Sequence, residues 1–227
     1  AWSRTTDVIR CDPEGDATER QLNEYEVASR LSYFLWSSMP DDELFQLADN
    51  KTLFDSSVLH AQIERMLHDE KANALSRNFA AQWLNLRNLP DVRPNRKVFP
   101  DFDSELRSAM GRETEMLFST IVKEDRSIDD FLSADFTFLN ERLAKHYGIE
   151  GVAGEEFVRV SLEGSKRSGL LTQASILTLT SNPGRTSPVK RGKWIMENIL
   201  GDVPPPPPPG VPPLEDAGKD IAGLSLR

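Results

Sequence analysis

The sequence predicts a mainly α chain: a helical bundle over residues 22–150, a small α+β unit over 151–203, and a polyproline spacer and tail over 204–227. Three observations predict it. Up to Gly148, apolar residues recur at helical spacing in one segment after another, most of them opened by a capping side chain. Past Gly148, a stretch alternates apolar and polar residues between glycines, as a half-buried strand does. From Pro204 to Pro209 the chain is unbroken proline, which donates no backbone hydrogen bond and favours an extended polyproline II spacer.

Residues 1–21 form a lead segment, and the first readable element runs from Leu22 to Met39. Asn23 followed by Glu26 has capping-box spacing, and Leu22 with Val27 is placed as a hydrophobic staple. Val27, Leu31, Phe34 and Leu35 then mark a core face, and Pro40 opens a second helix through Asp41 to Ala48. Asp55 or Ser56 caps a third, carrying Leu59, Ile63, Met66 and Leu67; Leu75, Phe79, Trp83 and Leu86 form a longer stripe that ends near Pro90. Residues 91–102 are rich in Pro, Asn and Arg without a period, which predicts a loop pinned by Val98, Phe99 and Phe102. Asp103 caps a helix facing Leu106, Met110, Leu117 and Ile121 inward; Ser127 with Asp130 starts a short one; Asn140 starts another that Gly148 stops. The first 150 residues thus read as all helical. Beyond them, Phe157 to Leu162 reads as a strand and Leu170 to Thr180 as a helix, while Ser187-Pro188 is a helix start matched by a stop at Gly201.

Composition narrows the function classes. A chain of 227 residues, 38% hydrophobic and 28% charged, can bury a full core, and no run approaches the roughly 20 apolar residues a membrane-spanning helix requires. Ala1 to Arg4 lacks the apolar stretch of a signal peptide, so an export address would lie upstream. A net charge of −9 disfavours general nucleic-acid binding. The one cysteine, Cys11, is followed by Asp12 and Pro13; it allows no internal disulfide and no covalent haem attachment within the chain. Gly-x-Ser-x-Gly, Walker and Gly-x-Gly-x-x-Gly patterns are absent, which disfavours a serine hydrolase or nucleotide-binding site.

Charge is uneven along the chain. Between Gly164 and Met196 there is no Asp or Glu, yet six cations fall there. Arg185, Thr186 and Ser187 precede the helix opened by Pro188, so a hydroxyl cap, free amides and the positive helix end would converge with Lys190, Arg191 and Lys193. These six are the candidate binding residues, for an anion, a polysaccharide or a haem propionate. The plainer alternative pairs the cations with the acidic body and makes Trp194, Ile195 and Ile199 ordinary core. His60, His68 and His146 lack metal-ligand spacing, so no metal site is expected. His146, at a helix C-terminus, reads as a dipole-stabilised cation, with axial haem ligation the weaker alternative. Glu113 lies near an inward stripe and must be paired or protonated; Arg30 or Arg87 is the expected partner, in a structural ion pair. An acid/base role would need a second carboxylate across a cleft.

Three stretches resemble planctomycete-specific domain four, a domain of unknown function: YEVASRLSYFLWSSMPDDEL at 25–44, NFAAQWL at 78–84 and DFTFLNERLAKHYG at 135–148. The later GLLTQAS at 169–175, TSNP at 180–183 and TSPVKRGKW at 186–194, with the proline run, resemble the start of planctomycete cytochrome C domain three. The resemblance implies a large, exported parent protein, periplasmic or at the cell surface, with a Cys-x-x-Cys-His motif shortly after the proline-rich tail. No cofactor is then expected within this chain, and a c-type haem is expected in the adjoining C-terminal region. The partners implied are the adjoining domains, and the role is a helical scaffold in a redox or electron-transfer protein. Two other classes stay open: a module binding an anionic ligand or polysaccharide, and part of a peroxidase-like enzyme whose site lies outside this stretch.

Overall fold

The computed structural model describes Arg10, Cys11 and residues 20–205. The rest of the lead segment, the Cys11 side chain and the tail beyond Pro205 lie outside the described residues. Strands β1 (Arg10–Cys11) and β2 (Arg20–Gln21) pair antiparallel ahead of the helices.

The early helices follow their caps. Helix α1 spans Glu24–Trp36; the Asn23 side chain accepts from the Glu26 amide at 3.0 Å, and the Glu26 carboxylate accepts from the Asn23 amide at 2.7 Å. This reciprocal pairing satisfies two amides that a bare helix end would orphan. Pro40 does not open α2 (Asp42–Asp49): Asp41 is its cap, accepting from the Leu44 amide at 3.0 Å, and Pro40 stands just ahead of it. Asp41 also takes the Arg65 guanidinium at 2.7 and 3.2 Å, tying α2 to α3 (Ser56–His68). The Trp36 indole donates to the Met66 carbonyl at 2.9 Å, closing the first core cluster between α1, α2 and α3.

The stripe from Leu75 to Leu86 is not one helix. Helix α4 (Asn73–Leu75) runs into a π turn (Ser76–Ala80), then α5 (Ala81–Trp83), a left-handed Asn85, and a 3-10 turn (Leu86–Asp91). A π turn inserts a residue and rotates the helix C-terminal to it, so Ala80, Ala81 and Leu84 take the core while Phe79 is 47% exposed. In the loop after Asp91, Val98 and Phe99 are exposed and lie outside the core clusters. The loop is held instead by Phe102, by the Asn95 amide on the Pro183 carbonyl at 2.7 Å, and by Arg107 on the carbonyls of Pro90 and Val92.

Helix α6 (Ser104–Lys123), capped by Asp103, is the spine of the molecule. It sends Phe118 to the first cluster, Leu117 and Ile121 to a second, and Leu106, Ala109 and Met110 to a third. Helix α7 (Asp130–Ser133) starts later than Ser127 would place it, because Ser127 accepts from the Asp129 amide in a turn of its own. Strand β3 (Phe136–Leu139) corrects the all-helical reading of the first 150 residues. All four of its residues are buried, so it lacks the alternation by which a half-buried strand is recognised. It pairs antiparallel with β4 (Val158–Ser161), Phe136 opposite Ser161 and Leu139 opposite Val158, so one sheet crosses position 150.

Asn140 caps α8 (Glu141–Tyr147), and Gly148 ends it at a φ of +69°. Gly169 has a φ of +50° and lies so close to α7 that a Cβ would stand 2.4 Å from the Leu132 carbonyl carbon. That approach brings α9 (Ala174–Leu179) against α6. A hairpin of β5 (Ser181–Asn182) and β6 (Arg185–Thr186) leads to α10 (Pro188–Ile195), which Ser187 caps through the Lys190 amide. A second π turn (Met196–Leu200) ends at Gly201, φ +67°. The architecture is mainly helical with small sheets.

Candidate functional site

Halfway along α6 the apolar stripe is interrupted by Glu113 and Thr114, at the seam between the second and third clusters. Glu113 is 1% exposed. Its Oε1 accepts from the Thr137 hydroxyl of β3 at 2.6 Å and its Oε2 from the Tyr147 hydroxyl of α8 at 2.5 Å. The Tyr147 oxygen in turn accepts from the Ala174 amide at 2.7 Å, so one carboxyl group ties α6, β3, α8 and the start of α9 together. Burial pushes the Glu113 pKa up to about 7, against the opposing pull of the two hydroxyl donors and the Arg167 cation. Tyr147 is pushed far upward by burial and by the carboxyl beside it, so it stays a neutral donor.

The seam continues on both sides. The Thr114 hydroxyl donates to the Gln173 side-chain Oε1 at 2.7 Å and meets the Ser175 hydroxyl at 2.6 Å, all three residues buried. Arg167 lies over the Tyr147 ring at 3.7 Å and donates to the Thr172 carbonyl at 2.6 Å. Glu113 therefore has neither Arg30 nor Arg87 as its partner; two hydroxyls hold it, and Arg167 is the nearby charge. The group can hold or release a proton near neutral pH, but both its oxygens are occupied by this chain, and among the described residues no second carboxylate joins them. This is the chemistry of a buried tie rather than of a general acid/base pair.

Sequence reasoning placed Glu113 correctly and missed Thr137, Tyr147, Thr114, Gln173, Ser175 and Arg167. The signal was a buried carboxyl that needed donors, alongside hydroxyl- and amide-bearing residues in the otherwise apolar stretches 135–148 and 169–175.

The basic candidates sit in different surroundings. Arg185 and Thr186 are exposed on β6, Ser187 is the buried cap, and Lys190 is exposed on the first turn of α10. Arg191 turns inward and its Nε donates to Thr180 at 3.3 Å; Lys193 pairs with Glu197 at 3.5 Å, one turn along. Arg167, from the same acid-free window, has gone to the Glu113 seam. Trp194, Ile195 and Ile199 pack into the second cluster. At His146 partial burial and the cations of Arg167 and Arg142 lower the pKa, which runs against stabilisation of a cation by the helix end. His60 lies 3.5 Å from Glu64 on the surface, and the His68 ring contacts the Glu64 carbonyl. Among the described residues no group of three His, Cys, Asp or Glu is placed to hold a metal, and no helix is long and apolar enough to cross a membrane.

The profile of the PSD4 family, described as a protein of unknown function (DUF1592), matches residues 22–149, the stretch from the α1 staple to the end of α8. The chain belongs to the PSD4 family. In this PSD4 chain a second profile, PSCyt3, also described as a protein of unknown function (DUF1588), matches residues 167–227. The order is thus planctomycete domain four followed by planctomycete cytochrome C domain three. The Glu113 seam draws on both: Glu113, Thr137 and Tyr147 fall in the first match, Arg167, Gln173 and Ser175 in the second. No curated protein and no solved structure matches the chain.

Proposed function

We propose that this PSD4 chain is the helical scaffold of an exported, c-type haem-associated redox or electron-transfer protein, and that the haem belongs to the adjoining C-terminal region. The observation that carries this reading is the second match, to a cytochrome-named domain, which spans α10 and the proline run. The residues of the chain itself do not fit a covalent haem of their own. Cys11 is the one cysteine and no Cys-x-x-Cys-His occurs. The Glu113 seam supports a scaffold as well, since its carboxyl oxygens are spent on joining four elements. On this reading the exposed residues at the entry to α10, Arg185, Thr186 and Lys190, face an anionic group of the adjoining region, such as a haem propionate, while Ser187, Arg191 and Lys193 shape that entry.

The test is to express the natural gene product containing this chain in a host that matures c-type cytochromes. A Soret band that survives denaturation, with haem on a peptide C-terminal to this chain, is the expected result. A colourless product whose C-terminal region lacks Cys-x-x-Cys-His would overturn the reading.

A further inference from the structure

Two segments far apart in sequence, one in each family match, meet at the surface and bring their cations together. The loop stretch 92–100 holds Arg93, Arg96 and Lys97 and no Asp or Glu. Its Asn95 amide donates at 2.7 Å to the carbonyl of Pro183, in the turn of the β5–β6 hairpin. That hairpin carries Arg185 and leads through Ser187 to Lys190, on the first turn of α10. Lys97 and Arg185 each stand two residues from the shared bond, at most about 7.6 Å of chain on either side. Positive side chains of both matched regions are thus gathered around one backbone contact.

The loop presents its cations through its own hydrogen bonds. The Asn95 side chain accepts from the Lys97 amide at 2.9 Å, and the Asn95 carbonyl accepts from the amides of Val98 and Phe99 at 3.0 and 2.9 Å. This closed turn holds Arg96 and Lys97 at its tip. Arg96, Lys97 and Lys190 are exposed, and among the described residues none of these three side chains has a carboxylate partner. Asp101, just past the loop stretch, lies instead beside His146 and Arg142. Apolar side chains next to these cations in the chain are open as well: Val98 is 51%, Phe99 44% and Val189 82% exposed. Open apolar side chains rimmed by unpaired charge are the make-up of an interface with a protein surface of opposite sign.

We propose that Arg96 and Lys97 join Lys190 in one surface that binds carboxylates of the adjoining C-terminal region, whether acidic side chains or haem propionates. The proposal rests on the scaffold reading for its occupant and adds to it a second set of binding residues, supplied by the PSD4 match. Three cations on two segments, held together by the Asn95–Pro183 bond, complement an acidic surface without first having to be ordered.

The natural gene product containing this chain is treated with a water-soluble carbodiimide, which joins amines to carboxylates in direct contact, and the products are mapped by mass spectrometry. The expected result is an amide from the Nζ of Lys97, and from that of Lys190, to carboxyl groups C-terminal to residue 227. Protein made with and without haem maturation separates the two sources: coupling to a side chain persists in both forms, and coupling to a propionate requires the loaded form. Lys193 and Glu197, 3.5 Å apart, couple in every folded sample and serve as the internal standard. Arg96→Ala, at an exposed position, lowers the Lys190 yield about threefold, the effect of one exposed charge on a shared partner. With the standard intact, no coupling at Lys97, coupling only within residues 1–227 or to a second copy, or an unchanged yield in Arg96→Ala would each overturn the proposal. A colourless product lacking Cys-x-x-Cys-His overturns the scaffold reading instead and leaves the coupling readable, so the two failures are distinct.

Discussion

At the scale of the residue, Glu113 is the buried carboxyl group on which four elements meet. Its folded-state pKa of about 7 lies above the ordinary 4.5, so folding favours the protonated form. The stability this confers is fully present below about 4.5 and is lost as pH rises through about 7. The loss is on the order of 3 kcal/mol from a shift of this size. Glu113→Gln, neutral at every pH, removes that contribution: the fall in urea midpoint from about pH 5 to pH 8 should be smaller in the variant than in the wild type, and the variant should be the more stable protein at the higher pH. A fall in midpoint as large in the variant as in the wild type would place its source elsewhere. Removing the tie altogether behaves differently. Glu113→Ala leaves the Thr137 and Tyr147 hydroxyls without their acceptor and opens a void, which costs about 2–5 kcal/mol in the same measurement.

At the scale of the element, local chemistry governs where helices begin, and close approach governs where the chain turns. Asn23→Ala deletes the side-chain half of the α1 capping box and costs about 1 kcal/mol by urea denaturation, whereas Asn23→Asp keeps an acceptor and costs far less. Two glycines at positive φ separate strain from crowding. Gly148→Ala meets no atom within 4 Å and costs about 1 kcal/mol, the backbone penalty alone. Gly169→Ala drives a methyl into the Leu132 backbone at 2.4 Å and costs well over 2 kcal/mol, seen as a lowered midpoint or loss of the folded protein. The caps at Asn23, Asp103, Asn140 and Ser187 were legible in the sequence because a cap and its target amide lie three residues apart. The π turn was not. Its cause is the packing of Ala80, Ala81 and Leu84 against neighbouring elements, which a regular period cannot register.

At the scale of the whole molecule, β3 and β4 form one sheet from opposite sides of position 150, and α6 feeds all three core clusters. These ties predict a single cooperative transition, with calorimetric and van't Hoff enthalpies in agreement; two resolved transitions would locate an energetic boundary near position 150. The mainly helical class, most helix starts, the family resemblance and the inward position of Glu113 are properties of the sequence by itself. Each rests on residues a few positions apart or on a pattern carried along the chain. The partners of Glu113 stand 24 and 34 residues away, the four residues of β3 are buried without alternation, and the open face of Phe79 depends on a π turn. Tertiary structure alone decided these, because which donor reaches a buried carboxyl, and which side of a helix is covered, depend on what the rest of the chain brings alongside.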